Sequence, residues 1–135
     1  MKPTVGVVAL ALLAAVGLSC GRDPVGPVPG VLSVKLTTPN SGADSAMVFT
    51  ITGPAALTSA TAGAGMRLFQ QTLGGTSTRF ALVGQLTQDA VVLTIGVENV
   101  NAVARYDGTI QGVAQANYQL RTPLVLASYA LDIVR

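Results

Sequence analysis

Few side chains in this sequence can do chemistry, and their spacing limits them further. There is no histidine and a single cysteine, Cys20. That removes Ser–His–Asp and Cys–His catalysis, together with the commonest metal ligand. One thiol cannot form an intrachain disulfide. A Ser–Lys pair would have to use Lys35, the one lysine after Lys2. Lys35 lies between Val34 and Leu36 in a strand-like run, where a solvated lysine that discourages edge aggregation is the expected role.

The carboxylates are equally sparse. Asp89 and Glu98 flank one apolar run and lie about 30 Å apart at ~3.3 Å per extended residue. Glycosidase pairs need roughly 5–9.5 Å. Glu98 and Asp107 can approach only across a turn. Glu98, Asn101 and Asp107, with Asn99, are the candidate oxygen ligands for calcium, but they are thinner than a D-x-[DN]-x-[DN]-G loop. Asp44, Asp89 and Asp107 read as turn residues, with Asp107-Gly108 the most typical. The segment AGAGM at 62–66 lacks the Lys-Ser/Thr of a phosphate loop. No catalytic residue, resident metal or cofactor is expected.

Sugar stacking needs exposed aromatic rings. The chain has no tryptophan and six other aromatics: Phe49, Phe69, Phe80, Tyr106, Tyr118 and Tyr129. Phe49 and Tyr129 fall on inward phases and belong to a core. Tyr106 follows a loop and suits a tyrosine corner, its hydroxyl tied to nearby backbone. Phe69 and Tyr118 remain as candidate exposed rings.

The elements that must hold these residues are strands. Leu32, Val34 and Leu36 alternate with polar neighbours. Met47, Phe49 and Ile51 alternate with Val48, Thr50 and Thr52; Val91, Leu93, Ile95 and Val97 with Val92, Thr94 and Gly96; and Tyr129, Leu131 and Ile133 with Ala130, Asp132 and Val134. Turn signals separate the runs, among them Pro39–Gly42, Gly53-Pro54 and Thr87–Asp89. Leu73–Thr76 reads as a two-residue hairpin between Met66–Thr72 and Ser77–Val83. Residues 98–104 read as a loop or a single helical turn. About eight short strands at this spacing predict an antiparallel, all-β sandwich of seven to nine strands over residues 31–135.

Composition agrees. Of 135 residues 50% are hydrophobic and only 10% charged, against roughly 25% charged in an average globular chain. Thr, Ser, Gly, Gln and Asn must supply the polar surface, which suits an extracytoplasmic β-protein. Arg22, Lys35, Arg67, Arg79, Arg105, Arg121 and Arg135 are dispersed. No local density of charge marks a nucleic-acid or anionic-lipid footprint.

The first twenty residues differ. Lys2 precedes an uncharged run from Thr4 to Ser19, which as a helix spans about 24 Å, short of the ~30 Å hydrocarbon core. This is the pattern of a cleaved leader. Residues 21–30, GRDPVGPVPG, hold three prolines that favour extended geometry and reach about 30 Å.

The junction Val16-Gly17-Leu18-Ser19-Cys20 resembles the lipobox of bacterial lipoproteins. Ser19 is the small residue before the cysteine, and Gly17 stands where the family more often has Leu. The resemblance implies cleavage before Cys20, diacylglycerol on its sulfur and a membrane partner through acyl chains. Gly21, unlike Asp, favours the outer membrane in a diderm cell. The order of strands around Val48–Leu57 is similar to immunoglobulin-like and cohesin-like bacterial sandwiches, at the level of fold pattern and without a ligand signature. The expectation is a membrane-anchored, non-catalytic domain that binds another envelope component. A carbohydrate or cell-wall module is the second expectation, and an enzyme the third.

Overall fold

A computed structural model of the chain describes residues 26–135. The leader, Val16–Ser19 and Cys20 lie outside the described residues. Eight strands follow in order: β1 Gly30–Thr37, β2 Asp44–Thr52, β3 Ser59–Ala62, β4 Arg67–Gly74, β5 Ser77–Leu86, β6 Val91–Val97, β7 Asp107–Gln115 and β8 Ala130–Val134. A 3₁₀ helix over Val100–Arg105 separates β6 from β7, and one turn of helix, α1, Pro123–Leu126, precedes β8.

The strands form two antiparallel sheets, ordered β3-β6-β1-β8 and β4-β5-β2-β7. The expected all-β sandwich is therefore present with eight strands. The neighbours β4-β5-β2 and β3-β6 match the D-E-B and C-F pairings of an immunoglobulin sandwich. The first strand joins β6 and the seventh joins β2, so these two occupy the sheets opposite to those of strands A and G.

Period-two alternation fixes the core. Leu32, Val34 and Leu36 of the first sheet and Met47, Phe49, Ile51, Phe80 and Leu82 of the second are almost wholly buried. Phe49 and Phe80 stand opposite each other on β2 and β5, with ring centroids 5.4 Å apart, inside the favourable aromatic range. The β4–β5 hairpin turns through Gly75 and Thr76. Gly74 (φ 106°) and Gly75 (φ 58°) take the left-handed backbone this tight turn requires.

One inward phase differs from expectation. A register shift between Val34 and Lys35 opposite β6 makes Val92 an extra residue. Val92 is fully buried while Val91 is 38% exposed. The bulge admits two successive residues against one on the partner strand and turns Val91 outward.

The strands define two ends. At the near end lie the chain entering β1, the segments 53–58, 75–76 and 98–106, and the C-terminus. The far end carries 38–43, 63–66, 87–90 and 116–129. The last part of the linker is already tied to the near end. Val28 N donates to Asn99 Oδ1 at 3.3 Å, and Val100 N donates to Val28 O at 2.8 Å.

Candidate functional site

The titratable groups are mostly absorbed by structure. Asp44 is not a turn residue: it opens β2 and is fully buried at the far end. Arg121 Nε donates to Asp44 Oδ1 at 2.9 Å, and Nη2 lies 2.9 Å from the same oxygen. The Tyr129 hydroxyl donates to Oδ2 and accepts from Asn40 Nδ2 at 3.0 Å. Both carboxylate oxygens are matched and Asp44 is enclosed, so the cluster clasps the segment before β8 onto β2. A ligand has no route to the carboxylate.

At the near end the calcium candidates are dispersed among protein donors. Asn99 Oδ1 accepts from Val28 N and Asn101 N, and Asn101 Oδ1 accepts from an Arg135 guanidinium nitrogen at 2.9 Å. Glu98 precedes the 3₁₀ helix. Asp107 does not form a turn with Gly108 but begins β7, exposed and opposite Thr52. Among the described residues no three Asp, Glu, His or Cys side chains gather as a metal cluster. Asp89 is the turn residue expected, exposed with φ 62°.

Tyr106 is buried, but its hydroxyl has no hydrogen-bond partner. The expected tyrosine-corner bond is not made. Burial holds its pKa above the ordinary 10.0, the Glu98 charge adds to the rise, and Arg105 opposes it. Lys35 is exposed as expected, but β1 is a central strand, so it guards no edge. It stands opposite Asp132 of β8, a favourable cross-strand charge pair.

What remains is the outer face of the second sheet. Pairing across β7, β2, β5 and β4 lines up Ala114, Ala46, Val83 and Arg67 in one row, and Gly112, Val48, Ala81 and Phe69 in the next. Leu120 bridges Ala114 and extends the first row. Both rows lie towards the far end. The rows nearer the chain entry are polar, with Gln71, Arg79 and Thr50, then Ser77, Thr52 and Asp107. Half the face is thus apolar and flat, because Ala and Gly alternate with larger residues. Val48, Phe69 and Ala81 line a shallow depression of about 300 Å³ together with Gln70, Gln71 and Arg79, where the apolar half meets the polar one. Arg67 and Arg79 border the apolar rows, and no acid lies within them.

The two candidate aromatics are both exposed, Phe69 by 58% and Tyr118 by 88%. Phe69 sits on β4 and Tyr118 beyond the end of β7. Those strands are the opposite edges of the sheet, about 14 Å apart by strand spacing.

No family model, curated protein or solved structure matches the chain. The apolar half-face was not singled out from sequence. Its signal is the apolar residues on outward phases, Ala46 and Val48 on β2 and Ala81 and Val83 on β5.

Proposed function

We propose that this chain is a membrane-anchored, extracytoplasmic and non-catalytic β-sandwich that docks another envelope protein on the apolar half-face. The observation that carries the docking is that half-face: a run of exposed apolar residues on a sheet surface whose other half is polar. Water-exposed apolar patches of this kind mark interaction surfaces. Aromatic anchors such as Phe69 and bordering arginines are the usual sources of binding energy. The two arginines favour a partner with acidic groups around its own apolar centre.

The anchor rests on the lipobox resemblance at Cys20. The linker would lift the domain off the headgroups. Catalysis has no support from the described carboxylates: Asp44 is locked in an internal pair, and Asp89 and Asp107 are exposed singly.

The docking is tested in the native cell with a photo-crosslinking residue at Val48 and, as a control on the other sheet, at Lys35. One protein partner captured from Val48 only, and lost with Phe69→Asp, is the expected result. Equal capture from both faces would refute the docking surface. Cys20→Ser should abolish fatty-acid labelling and leave the precursor uncleaved; retained lipid would refute the anchor.

The carbohydrate reading keeps one observation, the exposure of Tyr118 and Phe69. It requires that Tyr118→Ala and Phe69→Ala each weaken retention on isolated cell wall. Unchanged retention removes that reading.

A further inference from the structure

The four sheet edges of this sandwich are not equally protected. Edge strands carry unpaired main-chain groups, and proteins blunt them with short length, charge, proline, bulges or a covering segment. Three edges here have such a device. β3 has only four residues. β8 carries Asp132 at its middle. β7 is bulged between its pairings to Val48 and Phe49, and its last residues are covered by the returning chain, where Arg121 N donates to Val113 O and Gln115 N to Gln119 O.

Among the described residues, β4 has none of these from Leu68 to Thr72. The run Leu-Phe-Gln-Gln-Thr contains no charge and no proline. Its one irregularity falls later, between Thr72 and Gly74. Every residue of β4 except Leu68 is exposed. Outside the ladder to β5, no main-chain group of Arg67–Gly74 takes part in a hydrogen bond among the described residues.

We propose that β4 pairs antiparallel with β4 of a second copy of this chain, about a twofold axis through Gln70. The pairing continues the second sheet into one of eight strands. The run's own sequence selects a second copy. With Gln70 on the axis, Leu68 meets Thr72 of the second copy and Phe69 meets its Gln71. The two Gln70 amides face each other and can exchange hydrogen bonds. The Phe69 rings become diagonal neighbours at roughly 7–8 Å, within reach of aromatic side chains. No like charges stand opposite one another, since Arg67 faces Leu73. The interface is isologous and uses the one unprotected edge of each copy, so assembly closes at two. The twofold sends the residues before Gly30 out of opposite ends of the pair. A pair tethered to one membrane therefore lies with its strands along the surface.

The test uses the full chain in detergent, by sedimentation equilibrium from micromolar to millimolar concentration. Wild type is expected to show a reversible monomer–dimer equilibrium. Gln70→Lys and Gln70→Glu each place like charges on the axis and should weaken dimerisation about tenfold or more. Mixing the two variants should restore it as a heterodimer. Amide exchange supplies a readout that needs no variant: protection at residues 68–72 should rise with concentration, while β3, β7 and β8 stay unchanged. A wild type monomeric throughout, variants that dimerise like wild type, or a mixture that fails to recover would each overturn the proposal. Protection of β4 by a different protein bound to the monomer would do the same.

Discussion

Arg121 brings both Nε and Nη2 to 2.9 Å from one oxygen of Asp44, Oδ1, and leaves Oδ2 to the Tyr129 hydroxyl. The carboxylate is fully buried and the guanidinium side chain 17% exposed. Removing either partner strands the other. Arg121→Ala should lower unfolding free energy by about 3–5 kcal/mol, the usual cost of an uncompensated buried charge. In an Asp44→Leu background, Arg121→Met should cost much less than it does alone, because the charge it leaves is gone. Urea unfolding of the four proteins measures the coupling; strictly additive losses would show that the pair holds nothing.

Gly53 abuts Tyr106. A Cβ on Gly53 would fall onto Cδ1 and Cε1 of the ring. Gly53→Ala should therefore lower stability by about 1–3 kcal/mol through overpacking. A Cβ on Gly112 meets nothing within 4 Å, so Gly112→Ala is the matched control. Thermal melts should separate the two variants, and an equal shift in both would refute the steric account.

The Tyr106 hydroxyl gives an alkaline signature. Burial, aided by Glu98, raises its pKa above 10.0, so the folded chain holds this proton more tightly than the unfolded chain. The corresponding stability is fully present below pH 10 and is lost as pH rises through the folded value. Tyr106→Phe should remove that part of the alkaline loss. It should also be neutral or stabilising at pH 7, because the hydroxyl is buried without a partner. Denaturant midpoints across pH 8 to 12 for both proteins decide it; superimposable curves would contradict the assignment.

The bulge in β6 separates neighbours of identical chemistry. Val92→Ala should cost about 2 kcal/mol, as for a buried side chain. Val91→Ala should fall within about 0.5 kcal/mol, as for a surface site. A larger loss at Val91 would mean that the strand runs in the other phase.

These positions also show what sequence can and cannot carry. Leu32, Val34, Leu36, Met47, Phe49 and Ile51 were legible because Ser33, Lys35 and Thr37 in β1, and Thr50 and Thr52 in β2, fix the phase of each strand. Val91-Val92-Leu93 is apolar in both phases, so periodicity alone cannot choose, and the bulge decides. Asp44 follows Ser41-Gly42-Ala43 and resembles any turn acid. Its partners lie 77 and 85 residues away, a distance no local pattern reports. Phe69 and Tyr118, outside the inward phases assigned from sequence, are exposed, but Phe80, equally outside them, is fully buried opposite Phe49. The apolar half-face did not follow, because Ala46, Ala81 and Ala114 are unremarkable singly. Only the pairing of β2, β5 and β7 brings them into adjacent rows of one face.

The position of β1 has a mechanical consequence. The chain enters the domain at Gly30, and β1 runs from there between β6 and β8, antiparallel to both. A pull on the residues before Gly30 acts along this strand. It loads the hydrogen bonds of two ladders side by side, in shear, rather than opening them one at a time. How long the domain survives such a pull is governed by its unfolding rate, and drawing β1 out would strip Leu32, Val34 and Leu36 from the core in the same step.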